Sequence, residues 1–396
     1  MEKNNRIILV DALRGFALMG IVLIHCIEHL DFFREPNVHF LFSNTTDKNV
    51  MAAIFFLISG KAYSIFALMF GLSFFIQMNN KEIKGVDFRW RFAWRLTVLL
   101  IIGFIHSLFY KGDILHIYAI LGFILILLYK FKTKHLIWIA CILVLQIPMV
   151  CTLISTFLNP KYVYNESFGS GFWDISNQTY ATGSLLDVIK FNFWHGREMV
   201  WGWMFYNGRY LQLVALFIIG LVVGRNGYFE NITKYKKEAL KYLILSIAIV
   251  LFFFLLEKII TLGQFTSAQK TLLHNLIHSF TNLAYTSVII FTFIVLYIKF
   301  SKGLGFDLLA SFGKMSLSNY IFQAMTGVII FFGFGFGIYR YMGTTWSLIF
   351  GLLFVSLQIV ISKWWGKNFY YGPLEWVWRA ITYFDFSIKF RKEIKQ

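Results

Sequence analysis

The residues best suited to chemistry lie where the bilayer should exclude them. Residues 6–30 read RIILVDALRGFALMGIVLIHCIEHL, apolar enough to cross a membrane, yet they carry Asp11 and Arg14 near the start and His25, Glu28 and His29 near the end. Ionisable side chains inside a span are costly and mark functional sites by default. Arg14 and His25 are eleven residues apart, within about 20° of a whole number of turns, so one helix face carries both. They are separated by about 16 Å along the axis, roughly half the hydrocarbon thickness. A cation near one surface and a base deeper on the same face suit an extended, anionic cosubstrate. The competing reading has Arg14 snorkelling to the headgroups and His25 bonded to a neighbouring helix.

Residues 25–29, HCIEH, also fit the H-x-x-E-H zinc pattern of inverted zinc peptidases. Histidines four apart on a helix face one way and could share a metal. The motif is short, a third ligand is unassigned and the context is not that of a peptidase, so no metal is expected.

The elements that must position these groups follow from composition. Of 396 residues, 58% are hydrophobic, 20% aromatic and only 14% charged, and the mean hydropathy is positive. Polar residues could not cover a soluble domain of that size. Apolar windows of near-spanning length recur, which predicts an all-α, polytopic transmembrane helical bundle. The net charge of +17 would suggest nucleic acid in a soluble chain; here the positive-inside rule accounts for it. Cys26, Cys141 and Cys151 lie in apolar runs with no disulfide or metal pattern. Asp11 and Arg14 interrupt the first apolar run and no small-residue cleavage site follows, which reads as an uncleaved span.

About ten spans are expected, near 7–30, 51–78, 92–110, 114–130, 135–158, 209–226, 238–260, 273–299, 315–336 and 344–366. Cations collect in alternate loops: Lys3 and Arg6; Lys81, Lys84, Arg89, Arg91 and Arg95; Lys130, Lys132 and Lys134; Arg225, Lys234, Lys236 and Lys237; Lys299, Lys302 and Lys314; and a tail with Arg379, Lys389, Arg391, Lys392 and Lys395. That side is expected to be cytoplasmic, with both termini on it. The other side mixes in Asp31, Glu35, Asp47, Glu166 and Asp174. The expectation is one transmembrane domain over 1–396, an external loop at 159–208 and a cytoplasmic tail at 368–396. The first part of that loop is Gly-, Ser- and Asn-rich and reads as irregular. Its second part, ending in Trp201, Trp203 and Tyr206, reads as a helix lying flat at the interface, its aromatics a headgroup belt or a sugar platform.

Other polar groups interrupt apolar stretches. The second span holds Ser59, Gly60, Lys61, Tyr63 and Ser64, and a tight hairpin between the third and fourth holds His106, Asp113, His116 and Tyr118. Gly60, Gly71, Gly103, Gly122, Gly220 and Gly224 suit close helix packing. No internal repeat is evident, which weighs against an inverted-repeat transporter.

Five stretches, VDALRGFALMGIVLIH, GDILHIYAILGF, GRYLQLVALFIIGLVVGR, SFGKMSLSNYIFQ and FYYGPLEWVWRAITY, run in the order of one family of bacterial integral membrane proteins. Over nearly its whole length the chain resembles the YeiB-like family, known as a domain of unknown function. That family looks like part of a wider superfamily of transmembrane acyltransferases, which includes the enzyme acetylating heparan glucosamine and bacterial enzymes that O-acylate glycans. The resemblance implies transfer of an acyl group from cytoplasmic acyl-CoA to an acceptor on the far side. The O-acylating branch has an Arg and a His ten residues apart in its first span, a pair that Arg14 and His25 resemble. YeiB-like proteins more often carry Asn where this chain has His25. The heparan-acetylating branch has Asn near there and its catalytic His in the following loop, so His29 and His39 are rivals for the base.

Acyl transfer needs a general base for the acceptor proton and donors for the developing oxyanion. His25 is a candidate base, with Glu28 or Asp113 orienting its other nitrogen. Asn319, Tyr320 and Gln323 could supply oxyanion or pantetheine hydrogen bonds, or serve as interhelical glue. Arg14, Arg91 and Arg95 could hold CoA phosphates; positive-inside charge is the competing reading, preferred for Arg89 and equally open for Arg95. Glu375 and Arg379, four apart, could pair on an interfacial helix. The expectation is thus an acyl-CoA-dependent acyltransferase of the bacterial cytoplasmic membrane. Its partners would be the bilayer, acyl-CoA (acetyl-CoA in the simplest case) and an envelope glycan, lipid or small-molecule acceptor, with no nucleic acid. The chain could form a homodimer. The rivals are a transporter or exporter, whose intramembrane polar groups line a pathway, and a non-catalytic membrane partner.

Overall fold

The structure is a computed structural model that describes residues 8–32, 36, 41–159, 162, 164, 169–229, 232–300 and 305–393. His39 and the charges at Lys3, Arg6, Glu35, Glu166, Lys302 and Lys395 lie outside the described residues. The chain is all-α: α1 Ile8–Ile27, α2 Asn44–Ile58, α3 Ala62–Glu82, α4 Arg89–Ser107, α5 Leu115–Leu128, α6 Thr133–Val144, α7 Ile147–Leu158, α8 Trp173–Thr182, α9 Leu185–Phe191, α10 Arg197–Tyr206, α11 Arg209–Arg225, α12 Lys236–Leu262, α13 Ser267–Phe300, α14 Phe306–Lys314, α15 Ser316–Phe331, α16 Thr344–Asn368 and α17 Pro373–Tyr383.

Among the described residues, six helical stretches are long and apolar enough to cross a membrane, or seven if the bent pair Leu185–Tyr206 and Arg209–Arg225 is one span. All ten expected stretches are helical, but they are not all of spanning length. The α5 helix has 14 residues, about 21 Å against a hydrocarbon core of about 30 Å. The α1 helix is the most enclosed, with 67% of its apolar window buried, whereas the window over α12 is 11% buried and lies at the periphery. A second buried cluster, with Phe74, Phe92, Tyr118, Leu136 and Phe217, forms between α3, α4, α5, α6 and α11 without α1.

Close packing around α1 depends on glycine. A Cβ on Gly15 would stand 2.9 Å from the Leu309 carbonyl carbon and 3.2 Å from Gly313 N, and one on Gly313 would meet the Asp11 carbonyl. The α1 and α14 backbones thus touch directly, the geometry small residues permit between membrane helices. The short helix α14 lies between two expected spans and had no signal of its own in the sequence.

Several expectations change. The second span is two helices, α2 and α3, broken at Ser59, Gly60 and Lys61, with Gly60 at φ +79°. A left-handed residue cannot continue a right-handed helix, so this glycine breaks a span as well as leaving room for Asn282. The fifth span is likewise broken, at Gln146 with φ +51°. The Gly-Ser-rich start of the 159–208 loop contains α8. The expected flat helix is α9, one π turn over 192–196, and α10, joined to α11 at a 74° bend. In the tail, α17 packs on α4 and α15, and the Glu375 carboxylate accepts from Leu317 N at 2.8 Å and Ser318 N at 3.2 Å. Glu375 caps α15 and does not pair with Arg379, whose guanidinium lies 5.1 Å from the Tyr371 ring.

Candidate functional site

The α1 helix presents Arg14, Ile21 and His25 along one face, as their spacing of seven and four residues requires. Two cavities open along that face, at opposite ends of the bundle. The first, about 680 Å³, is bounded by Arg14 near the start of α1, Gln77 near the end of α3, Arg95 on α4, and Lys363 and Lys367 at the end of α16. Its lining holds seven cations (Arg14, Arg95, Lys314, Lys363, Lys367, Arg379 and Lys392) against one carboxylate, Glu375. The sign of the field is therefore positive, which concentrates anions. Arg14 is held in place by Asp11, at 2.9 Å, and by the Ser73 hydroxyl. The Arg95 guanidinium lies 3.6 Å from the Trp378 ring centre, and its buried Nε has no hydrogen-bond partner.

The second cavity, about 650 Å³, is bounded by His25 and Glu28 at the end of α1, Gly60 to Tyr63 at the α2–α3 break, Tyr110 to Gly112 in the α4–α5 connection, Trp203 on α10 and Arg209 at the start of α11. The two cavities share three wall residues: Ile21, Ile114 and Tyr320. Around that partition, His25 lies 5.0 Å from the Tyr110 ring and 6.1 Å from the Tyr320 ring. His25 Nδ1 is buried and has no hydrogen-bond partner. The Tyr320 hydroxyl accepts from Ile114 N at 3.2 Å, which leaves its own proton free to donate toward either cavity.

Behind the tyrosines, Asp113 is fully buried and accepts from His106 Nδ1 at 2.7 Å, His116 Nδ1 at 2.9 Å and His116 N at 3.1 Å. Both rings leave a buried Nε2 without a partner. At the edge of the second cavity, Lys111 donates to the Asp31 carbonyl at 2.8 Å and to Ser176 Oγ at 2.9 Å, and pairs with the Asp31 carboxylate at 3.3 Å. Burial pulls the Lys111 ammonium below its ordinary range, and Asp31 draws it back up. Asp31 reaches this position because His29, Leu30 and Asp31 all take left-handed φ values, +48°, +59° and +70°, and turn the chain sharply after α1.

Comparison with known proteins points to one family. The family model described as "Protein of unknown function (DUF418)" matches residues 223–385. The uncharacterised protein YxaH of Bacillus subtilis (strain 168) is 26% identical over 408 positions, spanning 97% of this chain and 96% of its own length. The uncharacterised protein YeiB of Escherichia coli (strain K12) is 24% identical over 413 positions, spanning 96% and 97%. The chain is similar over nearly its whole length to the YeiB-like proteins. No solved structure matches it.

Of the side chains that the sequence singles out, Arg14 and Arg95 line the first cavity, His25 and Glu28 the second, and Tyr320 both. His29, Asp113, Asn319 and Gln323 line neither. His29 is turned away by the left-handed backbone after α1, with Nε2 2.9 Å from Ser347 Oγ and its ring 4.9 Å from Phe331. It thus points to α16 and away from the cavity that His25 lines. Asp113 orients His106 and His116 rather than His25, since both of its oxygens are engaged by those rings. Asn319 ties α15 to α14 and α16 through Phe312 O at 3.1 Å and Ser362 Oγ at 2.9 Å. Gln323 is buried away from both cavities, its amide unpartnered. Of the three polar groups on α15, only Tyr320 reaches the partition. Arg91 is absent from the first cavity's wall and donates to Thr382 O at 3.0 Å, holding α17. Lys111 and Arg209 were not singled out, although Arg209, like Lys61, meets the same criterion that selected Arg14: a full charge within an apolar stretch.

Proposed function

We propose that the protein is a membrane-embedded acyltransferase, moving an acyl group, acetyl in the simplest case, from acyl-CoA in the Arg14 cavity to a hydroxyl or amine in the His25 cavity. The Arg14 end then faces the cytoplasm and the acceptor is an envelope glycan, lipid or small metabolite. The observation that carries this reading is the shared partition: two cavities from opposite ends of the bundle meet at Ile21, Ile114 and Tyr320, with His25 beside them. The seven cations of the first cavity suit the phosphates of CoA, Arg14 and Arg95 by their planar forks. His25 takes the acceptor proton as the acceptor oxygen or nitrogen attacks the thioester carbonyl. The Tyr320 hydroxyl donates to the developing oxyanion. Collapse breaks the C–S bond, and the CoA thiolate leaves and takes up the proton. The products are acyl-acceptor and CoA thiol.

The test is release of CoA thiol from acetyl-CoA by detergent-purified protein given an envelope extract, with radiolabelled acetyl followed into products. His25→Ala is expected to lower turnover by about 10²–10⁴-fold, and Arg14→Ala to raise the acetyl-CoA concentration needed. Full turnover in His25→Ala would sink the His-base mechanism. The same two cavities could instead form a transport pathway. Solute flux in proteoliposomes with no CoA release would favour that rival.

A further inference from the structure

We infer that the His25 cavity binds a phosphate group between Lys61 and Arg209, so that the acceptor is a phosphate-bearing molecule. The inference rests on reading that cavity as the acceptor side, but the anion site itself does not depend on acyl transfer. Lys61 is 7% exposed and Arg209 is 4% exposed, and both line the cavity. Lys61 Nζ has one carbonyl, Phe55 O, at 3.4 Å, and lies 5.3 Å from the Tyr285 ring. Arg209 donates to Gln212 Oε1 at 2.8 Å and to His278 Nδ1 at 3.1 Å, while its buried Nε has no partner. These partners are all neutral.

Three carboxylates line the same cavity, and none answers these two charges. Asp31 is 3.3 Å from Lys111, Glu257 is 3.0 Å from His274, and Glu28 is at the end of α1 on the Lys111 side. Among the described residues, no carboxylate lies within ion-pair distance of Lys61 or Arg209. A buried charge left without its partner is strongly destabilising, and two facing one cavity imply a counter-anion. Two links join the pair. Arg209 bonds His278, whose ring lies 3.3 Å from Asn282 Nδ2, and Asn282 abuts Gly60 beside Lys61. The start of α3, which has no side-chain cap, also lines the cavity through Gly60 to Tyr63, and helix starts favour phosphate. An arginine fork, an ammonium and a helix start together match phosphate oxygens better than any neutral group.

The phosphate could belong to a lipid headgroup or to a soluble phosphate ester, and two probes distinguish them. Glycerol 1-phosphate is titrated into detergent-purified protein, and phosphatidylglycerol is titrated in phosphatidylcholine nanodiscs, both without acyl-CoA. The readout is the fluorescence of tryptophans, of which Trp173 and Trp203 line the cavity. Saturable binding of one probe is expected, weakened at least about tenfold by Lys61→Gln and by Arg209→Gln, restored by Lys61→Arg, and unchanged by Lys134→Gln on the surface. Should Arg209→Gln fail to fold, Lys61→Gln decides. Absence of saturable binding for both probes, or equal affinity in the Gln variants, would overturn the inference. Phosphate binding with no CoA release from acetyl-CoA would remove the acyltransferase reading and leave this site. Acetyl transfer without phosphate binding would do the reverse.

Discussion

Asp113 offers the sharpest test of how the α4–α5 connection is held. An ionised carboxylate only accepts hydrogen bonds, so His106 and His116 both carry their proton on Nδ1, at 2.7 and 2.9 Å, and the His116 N–H adds a third bond at 3.1 Å. All three side chains are buried. Asp113→Ala leaves three donors without an acceptor, and breaking such a buried charged cluster costs about 3–5 kcal/mol. Asp113→Asn is milder. The amide oxygen can keep both His116 bonds, while its NH₂ faces His106 Nδ1 and forces that ring to move its proton to Nε2. A charge-assisted bond is then exchanged for a neutral one, a loss of about 1–2 kcal/mol. Equilibrium unfolding in mixed micelles gives the two stabilities, and ¹⁵N NMR of labelled histidine reports the tautomer. The reasoning predicts a large loss for Ala, a small one for Asn, and one histidine switching tautomer in Asn alone. Equal losses in the two variants, or an unchanged tautomer in a folded Asn variant, would refute it.

Two further perturbations probe the frame around the cavities. Gly60→Ala places a side chain at φ +79°, with its Cβ 2.8 Å from Asn282 Nδ2; a loss of about 1–3 kcal/mol is expected, and an unchanged thermal midpoint would show that the α2–α3 break is not rigid. Glu375→Gln keeps one acceptor for the start of α15 but removes its charge, so a loss of about 0.5–1.5 kcal/mol is expected, and a stability equal to wild type in the same unfolding assay would mean that α17 does not fasten α15.

Periodicity along one helix made much of α1 legible. Arg14 and His25 share a face because 3.6 residues per turn leaves them no other choice, and both line cavities. The all-α, membrane-type class was equally legible, since composition alone settles it. What escaped was tertiary. The breaks at Gly60 and Gln146 depend on single left-handed residues inside apolar runs. The α14 helix owes its place to a backbone contact between Gly15 and Gly313, far apart in sequence. His29 resembles His25 on a helical wheel, yet α1 ends at Ile27 and the turn swings it to Ser347. Asp113 could be assigned to any nearby histidine until the hairpin placed His106 and His116 against it. Lys61 and Arg209 were visible as charges in apolar stretches, but only the folded chain brings them to one cavity.

The enclosure of α1 has a consequence for how the protein is made. The most enclosed span, α1, precedes the helix that packs on it most, α14, which comes from the last quarter of the chain, with α3 and α16 completing the wall. At about 5–20 residues per second, the roughly 280 residues between α1 and α14 take on the order of 15–55 s to synthesise. During that interval the Gly15 side of α1, which meets α14, stays uncovered. Its aspartate and arginine at positions 11 and 14 bond each other within the same helix, so the span carries its own neutralising partner and can wait in lipid until its neighbours arrive.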